Sequence, residues 1–291
     1  MLDAMTILPP DVEILSPVDD HIFKTLLTHP DMKPALMDII SASIDRSVID
    51  VAVRNNELPV TDDNEKGERL DVNCAIQDGD QVDVEMHGSY LDEPGDGPPN
   101  FFNKYVYYLT DLHSSQKSKG VKYSDLVRTY QITFCNYTVF PKTANRYITR
   151  GSLRTPDGEE ISDQINFIVI ELSKLEDILK KHPSQLTPLE AWSVFFRCVS
   201  EAKHRDYVNQ VIAAREEIAM AGAKLMEISK DEHERARYRS RRMFETDKTS
   251  NELTVIHKAM LQVARNMKSD GDSPDKIMKI TGLTAADVEK A

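Results

Sequence analysis

Two acidic residues, Asp71 and Glu85, lie in neighbouring stretches in which polar and apolar side chains alternate. The first stretch reads LDVNCAIQ and the second reads QVDVEMH. A period of two residues is typical of β-strands that bury one face. If the chain turns over residues 77–79, Val72 lies opposite Val84 and Asp71 lies opposite Glu85. The sequence therefore predicts a hairpin with two carboxylates on one face.

Two opposed carboxylates repel each other, and this repulsion raises the pKa of one of them. A divalent cation between them removes the repulsion, and carboxylate oxygens suit Mg²⁺ or Mn²⁺. Such an ion activates water and neutralises the charge of a leaving phosphate oxygen. His87 follows two residues after Glu85 and belongs to the same face. The pattern indicates a metal site for phosphodiester cleavage, although a hairpin with a solvated polar face has the same spacing.

Four segments, taken in order, resemble the PD-(D/E)XK nuclease family transposases, also described as recombination-promoting nucleases. They are SPVDDHIFKTLL, the hairpin ending in VDVEMH, YYLTDLHSSQKSKGVKYSDL and INFIVIELSKL. The resemblance covers roughly residues 15–180. It implies an α/β fold, with a restriction-endonuclease-like core in which helices flank a mixed central sheet. It also implies DNA as the partner and Mg²⁺ or Mn²⁺ as the cofactor.

Carried over by position, the resemblance makes Asp71 and Glu85 the metal ligands, assisted in catalysis by His87 and Gln116. Gln116 matches the family, whereas His87 stands where the family usually has Gln or Lys. A lysine there would carry a permanent positive charge. A histidine is cationic only when protonated, with an ordinary pKa near about 6.5. This departure predicts an activity that is reduced or shifted in its pH dependence.

Four further residues are candidates for supporting the site. Tyr108 matches the family, and Lys104 stands where the family often has Arg. Asp20 and Lys24 lie four residues apart on a predicted first helix, which in the family contributes a polar residue to the metal centre. An ordinary ion pair on a helix surface explains Asp20 and Lys24 equally well.

The length of 291 residues allows one large domain, or one domain with a helical appendix. We expect a nuclease-like domain over residues 1–180 and a helical region over residues 181–291. No apolar run approaches the roughly 20 residues that cross a bilayer, and the first residues lack the pattern of a signal peptide. We therefore expect a cytoplasmic protein without a membrane partner. The three cysteines, Cys74, Cys135 and Cys198, lie in apolar patterns and are predicted to be buried and unpaired.

The net charge of −12 argues against broad, salt-driven adhesion to nucleic acid. Any contact with DNA is therefore expected at a local basic patch. Such a patch is present around Tyr238, where an arginine cluster could bind phosphates or stack on bases. A solvated helix face that neutralises nearby glutamates explains the cluster equally well. Its members are Arg235, Arg237, Arg239, Arg241 and Arg242.

The remaining patterns predict elements around the hairpin. A first helix is expected to start at Ser16–Pro17. A second helix, over residues 101–120, is expected to turn Phe102, Val106, Leu109 and Leu112 inward. A long amphipathic helix over residues 201–228 could mediate a homodimer or pack on the nuclease domain. The pattern of the last residues of the sequence predicts a helix-turn-helix-like hairpin. Three further strands are predicted at residues 49–53, 130–140 and 165–172.

The leading hypothesis is a metal-dependent DNA endonuclease related to transposases and recombination-promoting nucleases. The alternative is a catalytically inactive module that binds nucleic acid or protein on the nuclease scaffold. An RNA substrate is a third possibility, because no feature of the sequence selects DNA over RNA.

Overall fold

A computed structural model describes residues 8–54, 71–88, 98–116, 122–143 and 145–291. The chain forms two compact units, the first reaching Arg235 and the second extending from Ala236 to Ala291. The helices just after residue 180 pack within the first unit. A boundary at residue 180 between parts that fold independently stays a prediction.

The first unit is built on a six-stranded mixed sheet with the strand order β1-β2-β3-β4-β6-β5. Strand β3 pairs in parallel with β4, and β4 in parallel with β6, while the other neighbours are antiparallel. Helices flank this sheet, so the predicted α/β architecture is confirmed. The strands are β1 Val51–Val53, β2 Val72–Ile76, β3 Gln81–His87, β4 Thr129–Cys135, β5 Ile148–Arg154 and β6 Glu160–Glu171.

The α-helices of the described residues differ widely in length, and α7 is the longest of them. None of these helices combines the length and apolar character needed to span a membrane. They are α1 Asp20–Leu27, α2 Lys33–Ile44, α3 Pro98–Ser114, α4 Pro188–Cys198, α5 Arg205–Ala214, α6 Glu216–Lys230, α7 Glu232–Ser269, α8 Pro274–Thr281 and α9 Ala285–Lys290.

One face of the sheet is apolar and packs against helices α1, α2 and α4. Phe196 of α4 lies with its ring centroid 5.3 Å from that of Phe23 of α1 and 5.0 Å from that of Phe134 of β4. Trp192 is fully buried beside them, and its indole nitrogen donates to Asp38 Oδ2 at 2.7 Å. Aromatic rings in such edge contacts add to the free energy gained from burial alone. This cluster fixes three helices on one side of the sheet.

Helix α3 covers the opposite face of the sheet. Its buried stripe contains Phe101, Tyr105 and Leu109, which pack against residues of β4 and β6. The predicted inward stripe is therefore only partly right, because Val106 is 58% exposed. The helix is rotated about its axis relative to the predicted orientation. This rotation brings the hydroxyl of Tyr105 to the carbonyl oxygen of Gln131, to which it donates at 2.8 Å. The prediction that this helix reaches residue 120 is wrong, because the helix ends at Ser114 and a turn follows at residues 115–116.

Two further predicted helix limits are corrected. Helix α1 begins at Asp20 rather than at Pro17, because Asp19 is its N-cap and accepts a hydrogen bond from the amide of Ile22. The long helix predicted over residues 201–228 is interrupted at Arg215, whose φ of −144° and ψ of 125° are extended.

The interruption folds α5 back against α6. Ile212, Ile218 and Leu225 are fully buried, and Gly222 lies so close to Ile212 that an added Cβ would come within 3.2 Å of its Cδ1. The apolar stripe that we considered for a homodimer is thus covered within the same chain. A homodimer stays a prediction, without this surface as its support.

The second unit contains the predicted C-terminal hairpin. Ser273 caps α8, Gly282 ends it with φ of 67°, and Thr284 caps α9 in a capping box with Asp287. Ile277 and further apolar residues of this unit form a separate buried cluster. The caps and the cluster confirm the helical hairpin.

Gly151 gives a test of the packing between β5 and β6. It pairs with Phe167, and an added Cβ would lie 2.0 Å from Phe167 Cζ. We expect Gly151→Ala to lower the free energy of unfolding by about 1–3 kcal/mol, because the partly buried ring of Phe167 packs against the core under α3 and has to shift. Thermal and urea unfolding measure this effect, with Ser152→Ala as the neighbouring control. Equal stability of Gly151→Ala and wild type would contradict the close approach.

Candidate metal centre

The β2–β3 hairpin has the predicted register. Val72 pairs with Val84, and continuing this register by one residue places Asp71 opposite Glu85. The amide of Asp71 donates to Glu85 Oε1 at 2.9 Å, and the amide of Met86 donates to Asp71 Oδ2 at 3.1 Å. Each carboxylate is therefore oriented by a backbone amide of the opposite strand. These reciprocal bonds hold the two side chains beside each other.

The polar face of the hairpin is buried rather than solvated. Asp83 is 1% exposed and Glu85 is 7% exposed, although both lie on the polar side of β3. The physical reason is the position of β3 inside the sheet and of α3 above this face. The exposed hairpin that the spacing also allowed is therefore excluded.

Burial dominates the electrostatics of the three carboxyl groups. It raises the pKa of Asp71 well above the usual value, and the charge of Glu85 raises it further. The pKa of Glu85 is raised well above its usual value by burial and by the charge of Asp83. Burial also raises the pKa of Asp83, to about 8. Without a cation, the group therefore holds protons that ordinary carboxyl groups release.

His87 lies at the edge of this group, with Nε2 4.0 Å from Glu85 Oε2 and its ring centroid 5.6 Å from that of Phe101. Burial lowers the pKa of His87 to about 4, and the positive charge of Lys104 contributes to this lowering. The imidazole is therefore neutral at physiological pH. In this state it resembles the family's glutamine, a neutral hydrogen-bonding group, more than a lysine.

Three of the four predicted supporting residues act on the site electrostatically. The charge of Asp20 raises the pKa of Asp71, whereas Lys24 lowers the pKa of Asp71 and of Asp83. Lys104 lowers the pKa of Glu85. Tyr108 contacts Lys104, whose Nζ lies 5.6 Å from the centre of its ring.

Gln116 is not brought to the carboxylates. Its amide nitrogen donates to the carbonyl of Val127 at 3.0 Å and to Thr129 Oγ1 at 3.0 Å, and its oxygen accepts from the amide of Val127 at 2.9 Å. Thr129 begins β4 and pairs with Gln81, four residues before Glu85. Four residues along a strand correspond to about 13 Å. In this arrangement Gln116 anchors the segment that leads into β4.

The arginine cluster occupies the start of α7, where the two units meet along the sequence. Arg235 bonds Glu13 at 2.8 Å, and the guanidinium of Arg242 lies 5.8 Å from the ring centre of the buried Tyr238. Arg237 and Arg239 are exposed. The cluster thus offers charge at the surface of the helix, as both interpretations of the sequence require.

The residues present suit a hard cation. Among the described residues no three His, Cys, Asp or Glu side chains are arranged to hold a metal. However, Mg²⁺ is usually bound by one or two carboxylates and completes its shell with water and phosphate oxygens. Asp71 and Glu85 supply such a pair, and the buried Asp83 interacts with the carboxyl group of Glu85 but has no other hydrogen-bond partner in the part of the chain described. This surplus of acceptor oxygens fits a cation better than a neutral ligand.

Asp83 is a residue of this site that the sequence motif does not mark. Asp83 lies two residues before Glu85 on β3, so both side chains extend from the same face of the strand. The alternation of VDVEMH already indicates this. Its burial is not visible there, because a half-exposed edge strand and a covered inner strand can have the same alternation.

The raised pKa of Asp83 predicts a pH dependence of stability in the metal-free protein. An unfolded aspartate has a pKa of about 3.9, so between about pH 4 and pH 8 only the folded chain keeps this proton. The free energy of unfolding should therefore fall as pH rises across this window. Asp83→Asn should make the decline shallower, measured by calorimetry in the presence of a chelator.

Asp71 and Glu85 contribute to the decline with the same sign, so the variant reduces the slope without abolishing it. Asp78→Asn, a change at an exposed residue of the hairpin turn, serves as the control and should keep the wild-type slope. Parallel curves for wild type and Asp83→Asn would show that Asp83 does not titrate in this window.

Comparison with known proteins finds a family model that matches the chain. The family model described as PD-(D/E)XK nuclease family transposase matches residues 17–254. No curated protein and no solved structure matches the chain. The match includes the sheet, the hairpin with Asp71 and Glu85, and helix α3. Since it spans most of the sequence, the chain belongs to the PD-(D/E)XK nuclease family transposases.

Proposed function

We propose that the protein is a metal-dependent DNA endonuclease that hydrolyses phosphodiester bonds. The observation that carries the proposal is the pair of reciprocal hydrogen bonds that holds Asp71 and Glu85 side by side. Family membership supports the nuclease class, and the oxygen-only donor set supports Mg²⁺ or Mn²⁺.

The roles of the residues follow from their positions. Asp71 and Glu85 would hold the cation, which supplies Lewis-acid activation of water and charge neutralisation at the phosphate. The backbone amides of Asp71 and Met86 keep both carboxylates in place. Neutral His87 would orient water through an imidazole nitrogen. Lys104 contributes positive potential that favours the ionised form of Glu85.

Gln116 has a different role in this proposal. Its three hydrogen bonds to the segment before β4 make it a positioning residue for that strand. A direct part in catalysis, which the resemblance implied, would require it to leave these partners.

The second candidate function is a binding module without catalytic activity. It is supported by the net charge of −12 and by His87, which departs from the glutamine or lysine that the family usually has at this position. The two functions differ in their response to removal of the carboxylates. Cleavage depends on Asp71 and Glu85, whereas binding of nucleic acid does not.

Nicking of supercoiled plasmid tests the nuclease proposal. We expect wild type to nick DNA with Mg²⁺ or Mn²⁺, and we expect the rates of Asp71→Asn and Glu85→Gln to fall at least about a hundredfold, because each removes a metal-binding charge. Asp78→Asn is the matched control, since this acid lies in the turn of the same hairpin and is exposed.

A chelator should abolish nicking by wild type and by the control variant alike. Folded wild type that binds DNA without cleaving it, with binding unchanged in Glu85→Gln, would favour the binding module. Cleavage of RNA but not of plasmid would show that the protein is a nuclease whose substrate is RNA.

We further propose that the exposed arginines at the start of α7 contact DNA phosphates. The double variant Arg237→Gln/Arg239→Gln should bind DNA more weakly, and its dependence of log K on log salt should flatten by roughly 0.9 for each phosphate that is no longer neutralised. Fluorescence anisotropy with a chelator present measures this slope without cleavage. Arg265→Gln, farther along the same helix, is the control. An unchanged slope would assign the cluster to a solvated helix face.

A further inference from the structure

Three neighbouring residues give α3 a mixed basic and aromatic surface above the sheet. Lys104, Tyr107 and Tyr108 have the spacing i, i+3 and i+4, so they lie on one side of the helix. This side differs from the buried stripe of α3 that packs on the sheet. Lys104 and Tyr108 are partly buried, whereas Tyr107 is 58% exposed. We call these three residues the α3 patch.

Lys104 connects the α3 patch with the candidate metal centre. Burial raises the pKa of Glu85 and lowers that of His87, and the positive charge of Lys104 lowers both. Salt screens charges over a distance of about 10 Å, so an ammonium group that acts on both residues lies near them. A phosphate that reaches the metal centre therefore also comes near Lys104.

The two tyrosine rings continue the patch away from the metal centre. Lys104 Nζ lies 5.6 Å from the ring centre of Tyr108, which is a cation–π contact. The ring centroids of Tyr107 and Tyr108 lie 6.2 Å apart. Asp111 follows one turn beyond Tyr108 and ends the patch with a negative charge. Positive charge and aromatic rings thus form one continuous surface of limited length.

The exposure of this surface indicates a binding role. Val106, between the members of the patch, is also 58% exposed, so large apolar side chains collect on the outer side of α3. Exposed apolar patches next to polar groups are typical of binding sites. A nucleotide carries a negative phosphate and an aromatic base, and lysine beside tyrosine rings matches both. The charge and the rings of the α3 patch therefore fit a nucleotide better than a purely apolar partner.

We propose that the α3 patch binds an unpaired nucleobase next to the phosphate that reaches the candidate metal centre. Tyr107 stacks on the base, Lys104 neutralises a phosphate, and Tyr108 supports the ammonium group. Within a duplex the faces of a base are covered by its neighbours, so a base that stacks on a side chain is unpaired or extruded. The inferred substrate is a strand with unpaired bases. This inference rests on the proposed function, which brings a phosphate to the metal centre.

Binding of short oligonucleotides in the presence of a chelator tests the patch without cleavage. Fluorescence anisotropy compares a single-stranded DNA, the same strand with abasic sites in place of its bases, the corresponding duplex and the corresponding RNA strand. Tyr107→Ala should bind the base-bearing DNA strand at least about fivefold more weakly, because stacking on one base is lost. Its affinity for the abasic strand and for the duplex should equal that of wild type.

Three further variants separate stacking from charge and from general effects of mutation. Tyr107→Phe should bind as wild type does, because it keeps the ring. Tyr123→Ala should also bind as wild type does, since it removes a tyrosine that is 78% exposed and lies outside α3. Lys104→Gln should weaken the binding of base-bearing and abasic strands alike, because it removes a charge. The melting temperature of Tyr107→Ala should stay close to that of wild type, since the residue is exposed.

The outcomes separate this inference from the proposed function. Equal weakening of the base-bearing and abasic strands in Tyr107→Ala, or no weakening of either, would overturn the stacking role and leave the nuclease proposal intact. Wild type that binds none of the strands would also overturn it. A loss with the RNA strand alone would support the patch and assign the base to RNA. Strand binding that depends on Tyr107, without nicking of plasmid, would support the patch and contradict the nuclease proposal.

Discussion

The burial of an acidic strand face beneath a helix is the constraint on which the rest of this structure depends. Strand β3 presents Asp83 and Glu85 to the underside of α3, where water does not compensate their charge. Carboxylates in such surroundings either keep their protons or require a cation. The same burial that makes this face unfavourable in the metal-free protein favours a hard cation.

The remainder of the first unit holds this face in place. The parallel pairing of β3 with β4, and of β4 with β6, puts β3 inside the sheet rather than at its edge. The aromatic cluster around Phe134 and Phe196 fixes the helices on the apolar side. Tyr105 fixes α3 on the acidic side through its hydroxyl. A rigid support of this kind is what a site needs if its ligands are to keep their geometry.

His87 illustrates how the surroundings determine the chemistry of a residue. On its own, a histidine in the place of a glutamine or lysine leaves the charge of the site undecided. Burial and the neighbouring Lys104 lower its pKa to about 4, so the side chain is a neutral hydrogen-bonding group. The positive potential at the site then comes from Lys24 and Lys104, which belong to helices packed on opposite faces of the sheet.

The sequence by itself determined the hairpin register, the opposed pair of Asp71 and Glu85, and the capped C-terminal helices, because each depends on alternation or capping within a few residues. Only the tertiary structure decided that the polar face is buried, that Gln116 lies away from the carboxylates, and that the predicted long helix breaks at Arg215. These properties depend on which elements pack over one another, and residues distant in the chain decide that packing. Local periodicity reports which side chains share a face, whereas burial depends on what covers that face.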